Sequence, residues 1–459
     1  MIGLNRRNKV HFVGIGGVGM SGLAELLRAA NYSVTGSDRQ ASAITKRLES
    51  LGIAIQYNHT PSLIKDADLT VYSSAIREDN AERVFAAQHK IPLMRRAEML
   101  GELMRMKFSV AIAGTHGKTT TTSLIGQILT DAGKKPTVIV GGILRRLDTN
   151  AISGAGDLLV AEADEFDRSF LRMYPSIAVV TNIEEDHLDC YSGIEDIKAA
   201  FLQFANLVPF YGALVACVDD LHVREILASF SKPVITYGTE HEADYSARDI
   251  TFTGGKTAFS VFKKAERLGA LGLAIPGLHN VKNALAACAV ATELGVDFEV
   301  IAASLSGFGG VKRRFEVVGE KQGITVIDDY AHHPSEISAT LSAARSAGFG
   351  RVVAVFQPHL YTRTRDFLSG FASALCLADE FVVTAIYKSR EEPIAGVNGR
   401  AIVDAAAALG CRQAAYIDRK EDVPAMLAPK LKRGDAVVVM GAGDINEICK
   451  GILERIAHA

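Results

Sequence analysis

The chain has no tryptophan among its 459 residues, so it lacks the strongest stacking platform for single-stranded nucleic acid. It also lacks an excess of charge. Lys and Arg number 50 against 52 Asp and Glu, a formal net of −2, which argues against a nucleic acid partner held through phosphates. Apolar runs are short. The longest, Leu207–Val218 and Leu268–Leu278, fall well below the ~18 residues of a membrane helix, and no membrane insertion is expected. The six cysteines, at 190, 217, 288, 376, 411 and 449, never form a Cys-x-x-Cys pair. That spacing suggests reduced, cytoplasmic thiols and no structural zinc. Arg6, Arg7 and Lys9 precede an apolar stretch, but glycines break it and it turns into a helical pattern, unlike a secretory leader.

What is present is ordinary globular composition, 48% hydrophobic and 22% charged, which excludes wholesale disorder. At about 150 residues per domain the length suggests three. Three stretches each restart an alternation of apolar strands and amphipathic helices. The first has strands at Lys9–Val13, Ser33–Thr35 and Leu69–Tyr72, with helices at Met20–Ala30 and Ala43–Leu51. The second has strands at Phe108–Ala113, Pro136–Val140, Leu158–Glu162, Ile177–Thr181 and Ala213–Cys217. It continues through a hairpin-like insert, Tyr245–Phe262, turning at Gly254-Gly255, to a helix at Asn280–Leu294. The third has strands at Ile324–Ile327, Val352–Phe356, Phe381–Thr384 and Ala436–Met440. Strand–helix alternation predicts an α/β fold of parallel sheets, in three domains at 1–107, 108–312 and 313–459.

Gly114-Thr115-His116-Gly117-Lys118-Thr119 joins an apolar strand to a helix and ends as a phosphate-binding loop ends. Glycines let backbone N–H groups turn inward around phosphate oxygens, and the helix N-terminus adds a favourable dipole. Lys118 can reach the β- and γ-phosphates, and Thr119, followed by Thr120, can offer a hydroxyl to Mg²⁺. The loop is shortened, since Ile112 stands where the first glycine usually does. Phosphoryl transfer needs carboxylates at a neighbouring strand end to hold the metal. Glu162, Asp164, Glu165 and Asp167 crowd one such end, and Glu184, Glu185, Asp186, His187 and Asp189 follow another. Read alone, either cluster is a solvated acidic loop; beside a phosphate loop they read as a magnesium–phosphate site.

A second glycine turn, Gly14-x-Gly16-Gly17-x-Gly19, also follows a strand and opens a helix, with Asp38 placed 19 residues beyond Gly19. That is the spacing of a diphosphate and ribose fingerprint, and it makes the first domain Rossmann-like. It reports a diphosphate and says nothing of hydride chemistry. With an ATP-type loop already in the chain, it points to a nucleotide-linked substrate.

Seven motifs in order along the chain, Gly14–Glu25, Gly114–Thr122, Glu162–Asp167, Thr181–Asp189, Gly277–Asn283, Asp328–Pro334 and Gln357–Asp366, resemble those of the Mur ligases. The resemblance implies a three-domain enzyme with a P-loop ATPase-like centre and a Rossmann-like carboxy-terminal domain. It implies ATP and Mg²⁺ as cofactors, UDP-N-acetylmuramate and L-alanine as substrates, and a monomer or weak homodimer. The lactyl carboxylate of the sugar nucleotide would be phosphorylated, and the amine of alanine would attack the acyl phosphate.

By similarity, the Gly14–Gly19 loop holds the uridine diphosphate, and His59, Ser73, Ser74 and Arg95-Arg96-Ala97-Glu98 enclose the sugar nucleotide. Lys118 and Thr119 belong to the ATP loop, and Glu162 and His187 match the metal positions. Asn280 and Asn283, with His279 behind them, match the adenine stretch, and Arg314 matches a linker arginine that contacts phosphate. Asp328, Tyr330, His332, His333, His359 and Arg363 match motifs that close over ATP and receive the amino acid. A carboxylate or histidine of the 328–333 loop would take the proton from the incoming amine, and the residues leave that choice open.

Three departures stand out. Leu360 replaces an expected arginine, Phe166 replaces a serine, and Phe201 occupies the register of a carbamoylated lysine in related ligases, so no carbamate is predicted. Rival readings are a ligase that adds a whole peptide to the same sugar nucleotide, a dehydrogenase built on the first glycine turn, and a phosphate-loop switch protein.

Overall fold

The computed structural model describes residues 9–73, 75–144, 149–389 and 391–457. The chain divides into two compact units, one of Met1–Ala247, Val261–Gly269 and Lys282–Leu305, the other of Arg248–Ser260, Ala270–Val281 and Ser306–Ala459.

In the first unit the amino-terminal sheet has the strand order Ala54–Gln56, Ser33–Ser37, Lys9–Val13, Leu69–Tyr72, Leu93–Arg95, and every pairing is parallel. The middle strand is buried from Val10 to Val13, as expected when helices cover both faces. The helix Val18–Ala29 follows the first glycine turn, and the helix Arg96–Arg105 leads into the next sheet. There the strand Phe108–Ala113 is flanked by Ile177–Val180 on one side and Leu158–Glu162 on the other, both parallel to it. Ala213–Cys217 and Val234–Gly238 extend the sheet in parallel beyond Ile177–Val180. Three neighbouring parallel strands therefore deliver three loops, 114–117, 163–167 and 181–187, to the same sheet edge. Ligands of open α/β sheets bind at such carboxyl ends.

The two sheets share one apolar core. Gly101 shows how closely they approach: a Cβ there would lie 2.2 Å from the Arg172 carbonyl oxygen. Phe201 is wholly buried in this core, with ring centroids 5.2 Å from Phe170, which in turn stacks 5.0 Å from Phe204.

The second unit holds a six-stranded sheet ordered Glu316–Lys321, Ile324–Asp329, Asp435–Met440, Arg351–Phe356, Glu380–Val383, Ala414–Tyr416. Its first pair is an antiparallel hairpin and the rest is parallel. Helix Pro334–Ser346 begins with proline in its first turn, where the missing N–H costs nothing, and with Glu336 reaching back to the cap.

The sequence reading missed the strands Ala54–Gln56, Leu93–Arg95, Thr149–Ile152, Val234–Gly238, Glu266–Leu273, Glu316–Lys321 and Ala414–Tyr416. It also expected six reduced thiols, and that is corrected: Cys376 and Cys411 form a disulfide, with Cα atoms 5.9 Å apart. Helices Leu368–Leu375 and Arg400–Ala408 pack together and bring these two flanking cysteines face to face. Cys190, Cys217, Cys288 and Cys449 are not in disulfides.

Candidate active site

The amino-terminal turn is held from behind. Gly14 and Ile15 donate their N–H groups to the Ser37 carbonyl, and the Gly16 N–H donates to Asp38 Oδ2 at 2.7 Å. Asp38 thus braces the turn that it was expected to serve. Ser73 lies beside Gly14, 3.7 Å from a Cβ built there, and Arg96 Nη1 would meet a Cβ on Gly19 at 2.8 Å. Ser74 lies outside the described residues. Arg95 caps the helix Arg96–Arg105 and extends to Asp167, with Nη1–Oδ2 at 3.5 Å. The first sheet thereby reaches the acidic loop of the second.

Next to this turn sits a buried carboxylate that the sequence reading did not single out. Glu82 accepts from His11 Nε2 at 3.0 Å and Gln56 Nε2 at 2.9 Å on one oxygen, and from Ser37 Oγ at 2.5 Å and His59 Nδ1 at 2.7 Å on the other. Burial pushes its pKa up, but the hydrogen bonds from His11, Ser37 and His59 prevail and hold it below the usual carboxylate value. His59 owes its orientation to Glu82.

The phosphate loop is shaped by two glycines and braced by the 181–184 loop. Gly114 has φ 140°, and a Cβ there would lie 1.9 Å from Thr181 Oγ1. Gly117 has φ 85° and caps the helix Lys118–Asp131, with Asn283 Oδ1 2.6 Å from where its Cβ would be. Thr115 N–H donates to the Asn182 carbonyl at 3.1 Å, and His116 N–H to Asn182 Oδ1 at 2.8 Å. Asn283 also accepts from Thr121 Oγ1 at 3.2 Å. Thr119 and Thr120 are nearly buried in the first helical turn.

Lys118 folds back over its own loop. Its ammonium donates to the Gly114 carbonyl at 2.5 Å, the Thr115 carbonyl at 3.1 Å, and Glu165 at 2.9 and 2.8 Å to the two oxygens. Burial would lower the lysine pKa, but the negative charge of Glu165, with Asp164 and Glu162 behind it, raises it. Lys118 therefore stays charged. Glu165 Oε1 is 3.9 Å from His187 Nε2, and the Glu165 carbonyl accepts from Tyr191 OH at 2.7 Å. Glu162 lies at the end of its strand, where Oε1 accepts from the Gly141 N–H at 2.7 Å. His187 has the left-handed φ of 53°, and its ring meets the Phe166 ring edge-on at 5.2 Å. Phe166, where a serine was expected, thus backs the imidazole.

In the second unit, two guanidinium groups lie over the Tyr330 ring, Arg313 at 4.9 Å and Arg314 at 5.3 Å from its centroid. His333 is buried as the cap of helix Pro334–Ser346, with Nδ1 2.7 Å from Ser335 Oγ. His359 stacks on Tyr387, and Leu360 takes φ 70° at the start of the helix Tyr361–Asp366 that carries Arg363. Arg363 is buried, whereas Arg365 pairs with its neighbour Asp366 at 2.7 Å. Asn280 Nδ2 donates to the Pro276 carbonyl at 2.7 Å.

Three family models match the chain in succession. Residues 9–108 match the Mur ligase family catalytic domain, 112–291 the Mur ligase middle domain and 313–443 the Mur ligase glutamate ligase domain. The chain belongs to the Mur ligase family. It is 50% identical over 458 residues to the UDP-N-acetylmuramate–L-alanine ligase of Salinibacter ruber, covering 99% of this chain and 96% of that protein. It is 51% identical over 454 residues to the enzyme of the same name from Sorangium cellulosum, covering 98% and 97%. Among solved structures, the UDP-N-acetylmuramate–alanine ligase of Thermotoga maritima superposes with a TM-score of 0.82 at 31% identity, covering 98% and 99%. A murein peptide ligase from Psychrobacter arcticus gives 0.70 at 26%, with the same coverage.

Membership in the Mur ligases makes a divalent cation the next question. Asp164, Glu165 and His187 bring one ligand atom each within 4.8 Å of one another. Two carboxylates and an imidazole beside a phosphate loop suit a divalent cation. Of the expected metal residues, His187 stands in this group, whereas Glu162 is turned to Gly141 and Thr119 lies in the loop helix. Of the four carboxylates in six residues only Glu162 was expected to hold metal, and Asp164 and Glu165 were passed over because strand-end side-chain direction cannot be read from spacing. Glu82 left no local signal at all, since its partner His11 is 71 residues away. Phe201, where the family resemblance put the position of a carbamoylated lysine, is an aromatic core residue.

Proposed function

We propose that this Mur ligase joins L-alanine to the lactyl carboxylate of UDP-N-acetylmuramate, converting ATP to ADP and phosphate, in the making of peptidoglycan precursors. The observation that carries this reading is identity of 50% across 99% of the chain to a ligase of that name. Work is divided as the boundaries 1–107, 108–312 and 313–459 divide the sequence. The Gly14–Gly19 turn, with Asp38, Ser73 and Arg95 about it, holds the uridine diphosphate. The loop 114–120 holds the ATP phosphates, and Asn280 and Asn283 hold its base. Arg314 and Tyr330 are assigned to ATP, His359 and Arg363 to the alanine carboxylate, and His333 to the amine.

The chemistry brings a tetra-anionic nucleotide against a carboxylate, so cationic groups must be fixed in advance. Lys118 is such a group, charged and shielded from solvent. Mg²⁺ would be held by Thr119, Glu162 and His187 together with Asp164 and Glu165, and there it would neutralise phosphate charge. The alanine carboxylate calls for a planar fork, which Arg363 supplies. The reaction belongs to the cytoplasm, with a monomer or weak homodimer as the working form. No helix among the described residues is long and apolar enough to cross a membrane.

The test is phosphate release from ATP. It is expected to require UDP-N-acetylmuramate and to rise sharply with L-alanine, and a tripeptide is expected not to replace the alanine. Rapid release with neither substrate would refute the ligase reading.

A further inference from the structure

An ammonium has three N–H donors, and those of Lys118 are all engaged: by the Gly114 carbonyl, by the Thr115 carbonyl and by the two Glu165 oxygens. Nothing is left over for a phosphate. Two of these acceptors are backbone of the phosphate loop itself, so the lysine lies across its own cradle. The third is a carboxylate, the same kind of acceptor as a phosphate oxygen and of the same sign. Both side chains are shielded, at 16% exposed for Lys118 and 5% for Glu165, so the contact is a desolvated ion pair.

We propose that Glu165 is the resident anion of the phosphate cradle, and that nucleotide binds by exchanging its phosphate for this carboxylate on Lys118. The inference rests on the reading of 114–120 as the ATP loop. The exchange is charge for charge, so Lys118 is never left buried without a counter-ion. It needs only a side-chain rotation, because the Glu165 backbone is pinned by Tyr191 OH. The carboxylate that leaves has a partner at hand in His187 Nε2, 3.9 Å from Oε1. Glu165 is accordingly a positioning residue, acting through Lys118, and it sets the affinity for nucleotide by competing with it.

Calorimetric titration of ADP into the full chain in metal-free buffer reads this directly. Glu165→Gln keeps the shape and removes the charge, and Glu165→Asp keeps the charge and shortens the reach. Both are expected to bind ADP about 5- to 50-fold more tightly than the unaltered chain, within the span of coupling between contacting residues. Damage to the fold would weaken binding, so a gain is not mimicked by a structural defect. If Gln tightens binding while Asp leaves it unchanged, Glu165 merely repels the nucleotide and the exchange is refuted. Unchanged or weaker binding in both variants, with melting temperatures preserved, refutes it too. ADP that fails to bind the unaltered chain at all would overturn the phosphate-loop reading itself, and the exchange with it.

Discussion

Asp329 shows what one side chain in the carboxy-terminal unit does to the response to pH. Its oxygens accept from the Phe315 and Ala331 N–H groups, yet burial pushes its pKa up to about 6, against the opposing pull of Arg314. A folded-state value above the ordinary 3.8 means that the folded chain binds this proton more tightly than the unfolded chain does. The stabilisation is therefore complete below about pH 4 and is lost as pH rises through about 6, worth at most about 3 kcal/mol. Asp329→Asn should flatten this fall, and urea titrations of both proteins at pH 4.5 and 7 check it. Asp328, raised to about 6 mainly by burial and opposed by Arg313, titrates in the same window and remains in both proteins. Arg363 belongs to the same scale. Arg363→Ala is expected to raise the KM for alanine more than that for ATP, read from steady-state kinetics with each substrate varied. An unchanged alanine KM would remove this arginine from the amino-acid site.

At the scale of elements, helix Ile194–Ala205 is fixed by its aromatic face. Phe201 and Phe204 both close on Phe170, the buried residue of the turn that follows the acidic loop. Phe201→Ala should cost about 3–5 kcal/mol, measured by denaturant unfolding, and should loosen the support of the 163–167 loop. The inner strands of this sheet were legible in the sequence, Phe108–Ala113, Leu158–Glu162 and Ala213–Cys217 with their observed ends, because strands covered on both faces read as unbroken apolar runs. Ala54–Gln56, Leu93–Arg95 and Ala414–Tyr416 were not, since three residues at or near a sheet edge carry no periodicity to detect. The site divides the same way. Its loops announced themselves through glycines and clustered carboxylates at strand ends. The pairing of Lys118 with Glu165, and that of Glu82 with two histidines, depend on where side chains point after the sheet has formed.

For the whole molecule, the proposed division of labour makes the two nucleotide sites separable by mutation. Lys118 serves one glycine turn, and the other is held by Ser37 and Asp38 with no help from it. Lys118→Ala should therefore keep its affinity for UDP-N-acetylmuramate in a calorimetric titration. It should lose about 2–4 kcal/mol of transition-state stabilisation, or roughly 30- to 1,000-fold in kcat/KM for ATP. A parallel loss of sugar-nucleotide binding would mean that the two turns do not act independently. Gly114 has a consequence of another kind. With Thr181 Oγ1 standing 1.9 Å from where a methyl group would go, the position admits no other amino acid without displacing that brace. An inhibitor resting on this peptide would leave little room for escape by substitution, because any side chain that excluded it would also push Thr181 off the phosphate loop.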